Sequence, residues 1–377
     1  MKHKFLGGVQ LENGDIFAIP SHSDTALCIS PSTSKITRFG GPFNPDYKFK
    51  WLRAISTPSS SHIIGIPCWS NSILKICTST KTASTFGSAS LSAACPPPID
   101  RWKWHGGHSA GPSGYMYAVP ANAPRVLKIH PHLETASCIG PTFDGRQKWY
   151  GGIKSLGGHI YCVPYGWDRV LKIDPFADDA FEIGPSLNPV SEKGTLGYGW
   201  HGGVYSSAHD AVYAFPSHAT GVLKIDCGTD EVSVVGEGSL PDTEYKWLGG
   251  GADGGGAIYG VPSDADEVLM IEPGDDRVTM IRTDVLGGGK KNKFQGAVLG
   301  GDGGVYAIPS DEGFVMKIER GEGGEVKISK IEGLSRPGTK DKFQGAGVAE
   351  GKIYLIPENY HTPCVIHLEE GRIEELF

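Results

Sequence analysis

Three residues at equivalent places in one recurring motif are the first candidates for chemistry: His105, Tyr150 and His201. Each fills the third position of a K-W-x-G-G stretch, in "KWHGG" from Lys103, "KWYGG" from Lys148 and "GWHGG" from Gly199. Imidazole is the usual acid–base group and metal ligand near neutral pH. Three such rings at one height would suit proton transfer or a metal, or a hydrogen-bonded network between repeats. Two histidines with no carboxylate at the position make a weak metal site. His105 and His108 form an HxxH, but along a strand i and i+3 face opposite ways, so the pair is no chelate. The expectation is no metal, no catalytic residue and no cofactor, with these three rings as binding residues.

A second set follows the strand that ends in proline in each copy. "YGWDR" holds Tyr165, Trp167, Asp168 and Arg169, while "CWSN" holds Trp69, "ANAPR" Arg125 and "ENYHT" Tyr360. Aromatic rings among polar groups on loops suit a protein, peptide or sugar partner. The alternative is that the rings cap sheet edges. No P-loop, GxSxG elbow, HExxH or dinucleotide fingerprint occurs in the chain.

These residues must be held by the repeat itself. Copies start near residues 4, 50, 103, 148, 199, 246, 293 and 342, at intervals of 45 to 53 residues, and fill 1–377 as a single domain. A β-branched or aromatic run ends in proline once per copy, at Pro20, Pro67, Pro120, Pro164, Pro216, Pro262, Pro309 and Pro357. Proline belongs at strand ends, and such runs read as strands. Helical periodicity is absent. Four short strands per 40 to 50 residues is the pattern of a β-propeller. The fold class expected is all-β, an eight-bladed propeller of four-stranded antiparallel blades, with seven blades as the second choice.

"GYMYAVP" with "VLKIHP", and "HIYCVP" with "VLKIDP", resemble the second and third strands of kelch repeats. The resemblance implies a kelch-like propeller with the first strand innermost, although here the Gly pair precedes the second strand. Glycine pairs such as Gly106-Gly107 are expected to let crowded inner strands approach. The recurring Trp or Phe is expected to be packing. The lysines before it are expected to pair with nearby acids, including those of "FNPDYK", "PDTEYK" and "TKDK".

Glycine is abundant at 54 residues, with 26 prolines, so turns are many. At 39 % hydrophobic and 20 % charged the composition is that of a soluble globular protein. No apolar stretch is long enough for a membrane helix, and no partner membrane is expected. Eight cysteines without a CxxC, five of them in apolar strands, suggest reduced thiols and a cytoplasmic or other intracellular setting. The net charge of −7 divides unevenly, +6 over residues 1–225 and −13 over 226–377. That balance argues against nucleic acid. The function expected is a non-enzymatic scaffold that binds a protein partner through loops at the channel mouth. A carbohydrate-binding propeller is the alternative, and a metal-dependent hydrolase or lactonase the third.

Overall fold

The protein was studied as a computed structural model, which describes residues 2–44, 48–111, 113–187 and 197–377. Eight four-stranded antiparallel sheets follow one another along the chain, each built from consecutive strands. Within each blade the strands are called A to D. In blade 1 they are Phe5–Gln10, Ile16–Pro20, Ala26–Ser30 and Lys35–Phe39. In blade 8 they are Phe343–Ala349, Lys352–Pro357, Cys364–His367 and Arg372–Glu375. Strands A of neighbouring blades touch all the way round, including Phe5–Gln10 against Phe343–Ala349. The ring therefore has eight blades, with strand A lining the axis and no strand exchanged between the chain ends.

Burial explains the sequence pattern strand by strand. Strand B is sandwiched between blades, and Ile160–Pro164 is buried along its whole length. Such a strand reads as a continuous apolar run rather than an alternating one. Outermost strand D alternates exposed with more covered positions instead, as Thr135–Ile139 does. The strand A tryptophans fill the gaps between sheets, with Trp104, Trp149 and Trp247 inaccessible to solvent. A buried indole needs an acceptor. Trp149 Nε1 donates to the Arg169 carbonyl at 2.8 Å and Trp104 Nε1 to the Arg125 carbonyl at 3.0 Å, in each case just before strand C.

The two glycines of the motif have different causes. A Cβ on Gly107 would lie 2.2 Å from the Tyr117 carbonyl oxygen, and one on Gly250 only 1.9 Å from that of Tyr259. In these blades strand A presses on strand B too closely for any side chain, whereas blades 2, 7 and 8 accommodate an alanine at the same position, Ala54, Ala297 and Ala346. In blades 1, 3, 4, 5 and 8 the first glycine is left-handed instead, at φ 74° in Gly106, and there it sits where the A–B register shifts. One blade has no glycine at this place. Arg53 takes the first-glycine position of blade 2 and still adopts φ 62°.

The motif lysines join blade to blade. Each backbone link has two steps, as when Ser21 N–H donates to the Lys4 carbonyl at 2.9 Å and Lys50 N–H to the Ser21 carbonyl at 3.2 Å. The same link closes the ring, since Lys4 N–H donates to the Glu358 carbonyl at 3.0 Å. The expected acid partners are mostly not used by these lysines. Lys148 Nζ donates to the carbonyls of Ala121, Ala123 and Gly145 at 3.0, 3.0 and 3.1 Å. Lys246 Nζ takes the carbonyls of Ser217 and Thr243, leaving Asp242 and Glu244 aside. Backbone oxygens crowd the lysine head where the loops converge, and no carboxylate has to be desolvated to reach it. Asp46 of "FNPDYK" lies outside the described residues. The strand C lysines do find acids: Lys128 meets Asp178 at 2.7 Å and Lys172 meets Asp230 at 2.6 Å, each on the next blade. One short helix, Ser88–Ala94, lies between blades 2 and 3. Among the described residues no helix is long and apolar enough to cross a membrane. All eight cysteines are free thiols.

Candidate functional site

Every blade contributes three layers to the axis, and their chemistry differs from one side of the ring to the other. The outermost layer is made by the residue before each motif lysine and by the second residue after each strand B proline. The first of these is left-handed in blade after blade, at φ 46° in Phe49, 50° in Trp102, 53° in Tyr245 and 47° in Asp341. Its carbonyl accepts the N–H of the second, as Phe49 does from Trp69 at 3.0 Å and Tyr245 from Asp264 at 3.0 Å.

Over blades 1 to 3 this layer is aromatic. Phe49 lies 4.4 Å from His22, 5.0 Å from Trp69 and 4.9 Å from Trp102 between ring centres. Arg101 covers the Trp69 ring at 4.7 Å. Burial holds His22 neutral, with its pKa lowered to about 4. Over blades 6 to 8 the layer, Tyr245 apart, is made of acids and amides. Asp264 Oδ1 accepts the Asn292 N–H at 2.8 Å and Asp311 Oδ1 the Asp341 N–H at 2.9 Å. Asp and Asn suit this place because a short acceptor reaches the N–H of the next blade. Glu358 is nearly buried, and its carboxyl is raised by that burial while His3 Nδ1 meets it at 2.5 Å. The His3 imidazole is raised in turn by this hydrogen bond.

One level down lie the third residues of the motif, and here the three sequence candidates converge. His105 and Tyr150 stack with ring centres 3.7 Å apart. His201 stands 5.3 Å from Tyr150 and 6.4 Å from His105. Its Nδ1–H donates to the Leu248 carbonyl at 2.6 Å. That bond fixes the tautomer and leaves Nε2 as an acceptor with no partner among the described residues. Burial, helped by the nearby Arg53 charge, lowers the His201 pKa to about 4, so the ring is neutral at neutral pH. His105 is lowered further, by burial first, and its Nδ1 is buried without a partner. The stack continues upward from Tyr150 to Tyr165 at 4.5 Å and from Tyr165 to Tyr198 at 4.3 Å. A continuous aromatic wall thus runs from the channel to the mouth. Leu6 and Leu52 complete the level on the side of blades 1 and 2, packed with Cys68.

The third level belongs to the first glycine of each motif, and there only blade 2 presents a side chain. Arg53 Cγ lies 3.5 Å from where a Cβ of Gly7 would sit, and Arg53 Cδ 3.5 Å from that of Gly106. The side chain is exposed to solvent within the channel, and desolvation by the surrounding protein lowers its guanidinium pKa. Among the described residues it makes no ion pair and no hydrogen bond.

The other sequence candidates divide. Trp69 lines the mouth, and Tyr165 belongs to the aromatic wall although it is 8 % exposed. Trp167 leans outward on Trp149, 5.4 Å between ring centres, and its Nε1 donates to Glu182. Arg125, Asp168 and Arg169 also turn away from the axis. Arg125 Nε donates to the Gly140 carbonyl, Arg169 Nη1 to that of Gly184, and Asp168 Oδ2 accepts from Ser186 Oγ. Tyr360 is inaccessible, stacked near Phe343 and bonded to Glu375. Reasoning from sequence passed over Arg53 and the aromatic residue before the lysine. The signal for Arg53 was in plain view, since "KWLRA" is the one copy in which a large side chain replaces the first glycine.

A cavity of 1280 Å³ lies between blades 5 and 6. Seven carboxylates line it against two cations, Arg282 beside Glu267 at 2.6 Å and Lys291 beside Asp264 at 3.8 Å, so it is an acidic cleft. The channel brings imidazoles and an arginine together with aromatic rings and is the better candidate. No group of His, Cys, Asp and Glu that could hold a metal occurs among the described residues.

No protein-family model matches the chain, and no curated protein matches it. Solved structures similar in fold include virginiamycin B lyase from Staphylococcus aureus, at 11 % identity and TM-score 0.56 over 95 % of this chain and 93 % of that one. A streptogramin B lyase is similar at 13 % identity and TM-score 0.56, covering 95 % and 91 %. The extracellular domain of a putative one-component system from B. thetaiotaomicron is similar at 8 % identity and TM-score 0.53, covering 99 % of this chain and 52 % of that one. At such identities the likeness establishes the propeller fold. Nothing in it is specific to kelch repeats, so that resemblance holds for architecture alone.

The expectation of a non-enzymatic scaffold is corrected by these findings. Propellers of the same build, matched over nearly their whole length, are lyases. The loop residues that carried the scaffold reading also largely face away from the mouth, because their polar heads satisfy carbonyls at the outer ends of their own blades.

Proposed function

We propose that the protein is an enzyme that performs acid–base chemistry on a small organic molecule held in the axial channel. The observation that carries this reading is His201, an imidazole locked in one tautomer with a free Nε2 acceptor inside an aromatic cluster. In the proposed step Nε2 takes a proton from the substrate. The electron pair left behind either recovers a proton at another atom or expels a leaving group, as in an isomerisation or an elimination. Tyr150 and His105 form the wall against which the substrate lies, and the low polarity of the channel strengthens every charge interaction in it. An imidazole of low pKa is a weak base. An anionic substrate beside Arg53 would offset the charge that helps hold the pKa down. One of the similar structures is a catalytically inactive virginiamycin B lyase from Staphylococcus aureus, with a histidine changed to alanine, in the presence of quinupristin. That is said of the lyase; the reading here rests on the residues of this chain.

The test is incubation of the pure protein with a library of small organic acids and esters in D2O, read by mass spectrometry. The expected result is deuterium uptake or substrate loss for at least one compound, abolished in His201→Gln with unchanged circular dichroism. A library without any change, or a His201→Gln protein as active as the parent, overturns the proposal.

A further inference from the structure

At the level of the channel where the other blades carry glycine, a single arginine crosses it. Arg53 holds a left-handed backbone at φ 62°, a conformation that costs strain in any residue with a Cβ. Its side chain is exposed to solvent within the channel, with no ion pair and no hydrogen bond among the described residues. The strain does not help the fold, and the glycine of the neighbouring blades would avoid it. Strain and unmatched charge that folding does not explain mark a ligand site.

We infer that Arg53 is the anchor for the carboxylate of a monoanionic organic acid whose apolar or aromatic body lies along the Tyr150 side of the channel. The guanidinium fork matches a carboxylate with two parallel hydrogen bonds. A single cation suits a single negative charge. Lys103 and Lys148, near the axis, are already bound to backbone carbonyls, so neither is free to meet a second negative charge. The groups beside Arg53 are neutral imidazoles: His105, His108 and His201 all feel its charge, and all are held below their ordinary pKa by burial first. His105 Nδ1, buried and unpartnered, is a further polar atom waiting for an oxygen. Above it, the stacked rings of Tyr150 and Tyr165 offer flat apolar surface at the depth a carboxylate-bound body would occupy.

This site deepens the acid–base reading by naming the substrate class, but binding is tested apart from turnover. Isothermal titration would use benzoate, acetate, benzamide and inorganic phosphate as probes on the full chain. The expected order is benzoate tightest, acetate weaker, and neither benzamide nor phosphate measurable. Arg53→Gly should weaken benzoate at least tenfold and, by relieving the left-handed strain, raise the melting temperature. A rise in stability separates this from misfolding. Benzoate binding equally well to Arg53→Gly, phosphate binding better than benzoate, or no probe binding at all would overturn the inference. His201→Gln should keep benzoate binding within about threefold, so a failed catalytic reading and a failed anion site give different results.

Discussion

The Nδ1–H of His201 in blade 5 donates to the carbonyl of Leu248 in blade 6 at 2.6 Å, which ties a channel imidazole to the seam between two blades. Its pKa near 4, and that of His22 near 4, lie below the value of about 6.5 expected when the chain is unfolded. Between those limits the unfolded chain binds more protons than the folded one, so stability rises with pH there and falls on acidification. The contribution is complete above about pH 6.5 and is lost as pH drops toward 4. Melting temperature measured from pH 7 to 4.5 should therefore decline, and His201→Gln should flatten the decline. A parent protein equally stable at both ends would contradict the neutral, buried state of these rings.

Trp149 is inaccessible to solvent, and its indole N–H is satisfied by the Arg169 carbonyl. Trp149→Ala should cost about 3 to 5 kcal/mol in denaturant unfolding, through the cavity and the orphaned carbonyl. Trp167 lies on the outer side of that ring and is only partly covered. Trp167→Ala should cost less, roughly 1 to 2 kcal/mol, by exposing part of the Trp149 face. Equal losses would mean that the two rings act as one packed unit.

Lys148 has no carboxylate in contact, and its ammonium is held by three carbonyls of the preceding loops. Lys148→Met keeps the length of the side chain but leaves the Ala123 and Gly145 carbonyls without that donor, while Ala121 still accepts the residue 148 backbone N–H. The expected loss is about 3 kcal/mol, since each stranded buried acceptor costs 1 to 3 kcal/mol and some can turn to water. Lys148→Arg, longer and forked, should recover little of it. Full stability in Lys148→Met, measured by urea titration, would show that the carbonyls find other donors.

The eight-fold pattern was legible because each element repeats under the same physical demand. Every blade needs a buried strand B and a large ring between sheets, and five of the eight keep a glycine where strand A meets strand B, so Trp104, Pro120 and Gly107 recur in kind. Sites were harder to read, because a repeat shows where a side chain starts and not where it turns. Trp167 and Trp69 both follow a strand B proline, yet one leans outward on Trp149 and the other lines the mouth. They differ by one position in the loop, the third residue after proline against the second. His105, Tyr150 and His201 were found together because strand A holds them at one register position. Arg53 was missed by attention to what the motif shares, although its departure from glycine is the most informative letter in the ring.

Gly250 shows how little freedom the inner strand has. Its Cβ, if present, would lie 1.9 Å from the Tyr259 oxygen and 2.6 Å from the Phe215 ring. Gly250→Ala should therefore push strand A away from strand B and disturb the Phe215 packing of blade 5 as well. Gly254, in the turn between strands A and B of the same blade, has nothing within 4 Å of such a Cβ and no left-handed φ. Gly254→Ala should leave the melting temperature within about one or two degrees, as for an exposed substitution. A Gly250→Ala protein as stable as Gly254→Ala would mean that the blades slide apart at little cost.

Closure of the ring rests on side chains at the seam of blades 8 and 1, and this can be weakened by degrees. The Gln10 amide bridges it twice: Nε2 donates to the Val348 carbonyl at 2.6 Å and Oε1 accepts the Val348 N–H at 2.8 Å. His3 N–H donates to Asn359 Oδ1 at 2.5 Å, and Phe5 and Ile16 pack against Tyr354 and Ile356. Removing residues 342 to 377 would bare the facing surfaces of blades 1 and 7 and leave no partner for either, so the fragment 1–341 should fail to fold in soluble form. Gln10→Ala tests the same seam without destroying it. Two hydrogen bonds to backbone groups are lost, which predicts about 1 to 3 kcal/mol and a lower urea midpoint. If the seam opens before the remaining blades, hydrogen exchange should speed up first at Val348 and Lys4, while the strand B amides of blades 3 to 5 stay protected. Exchange that quickens uniformly over all eight blades would show instead that the ring unfolds as one unit.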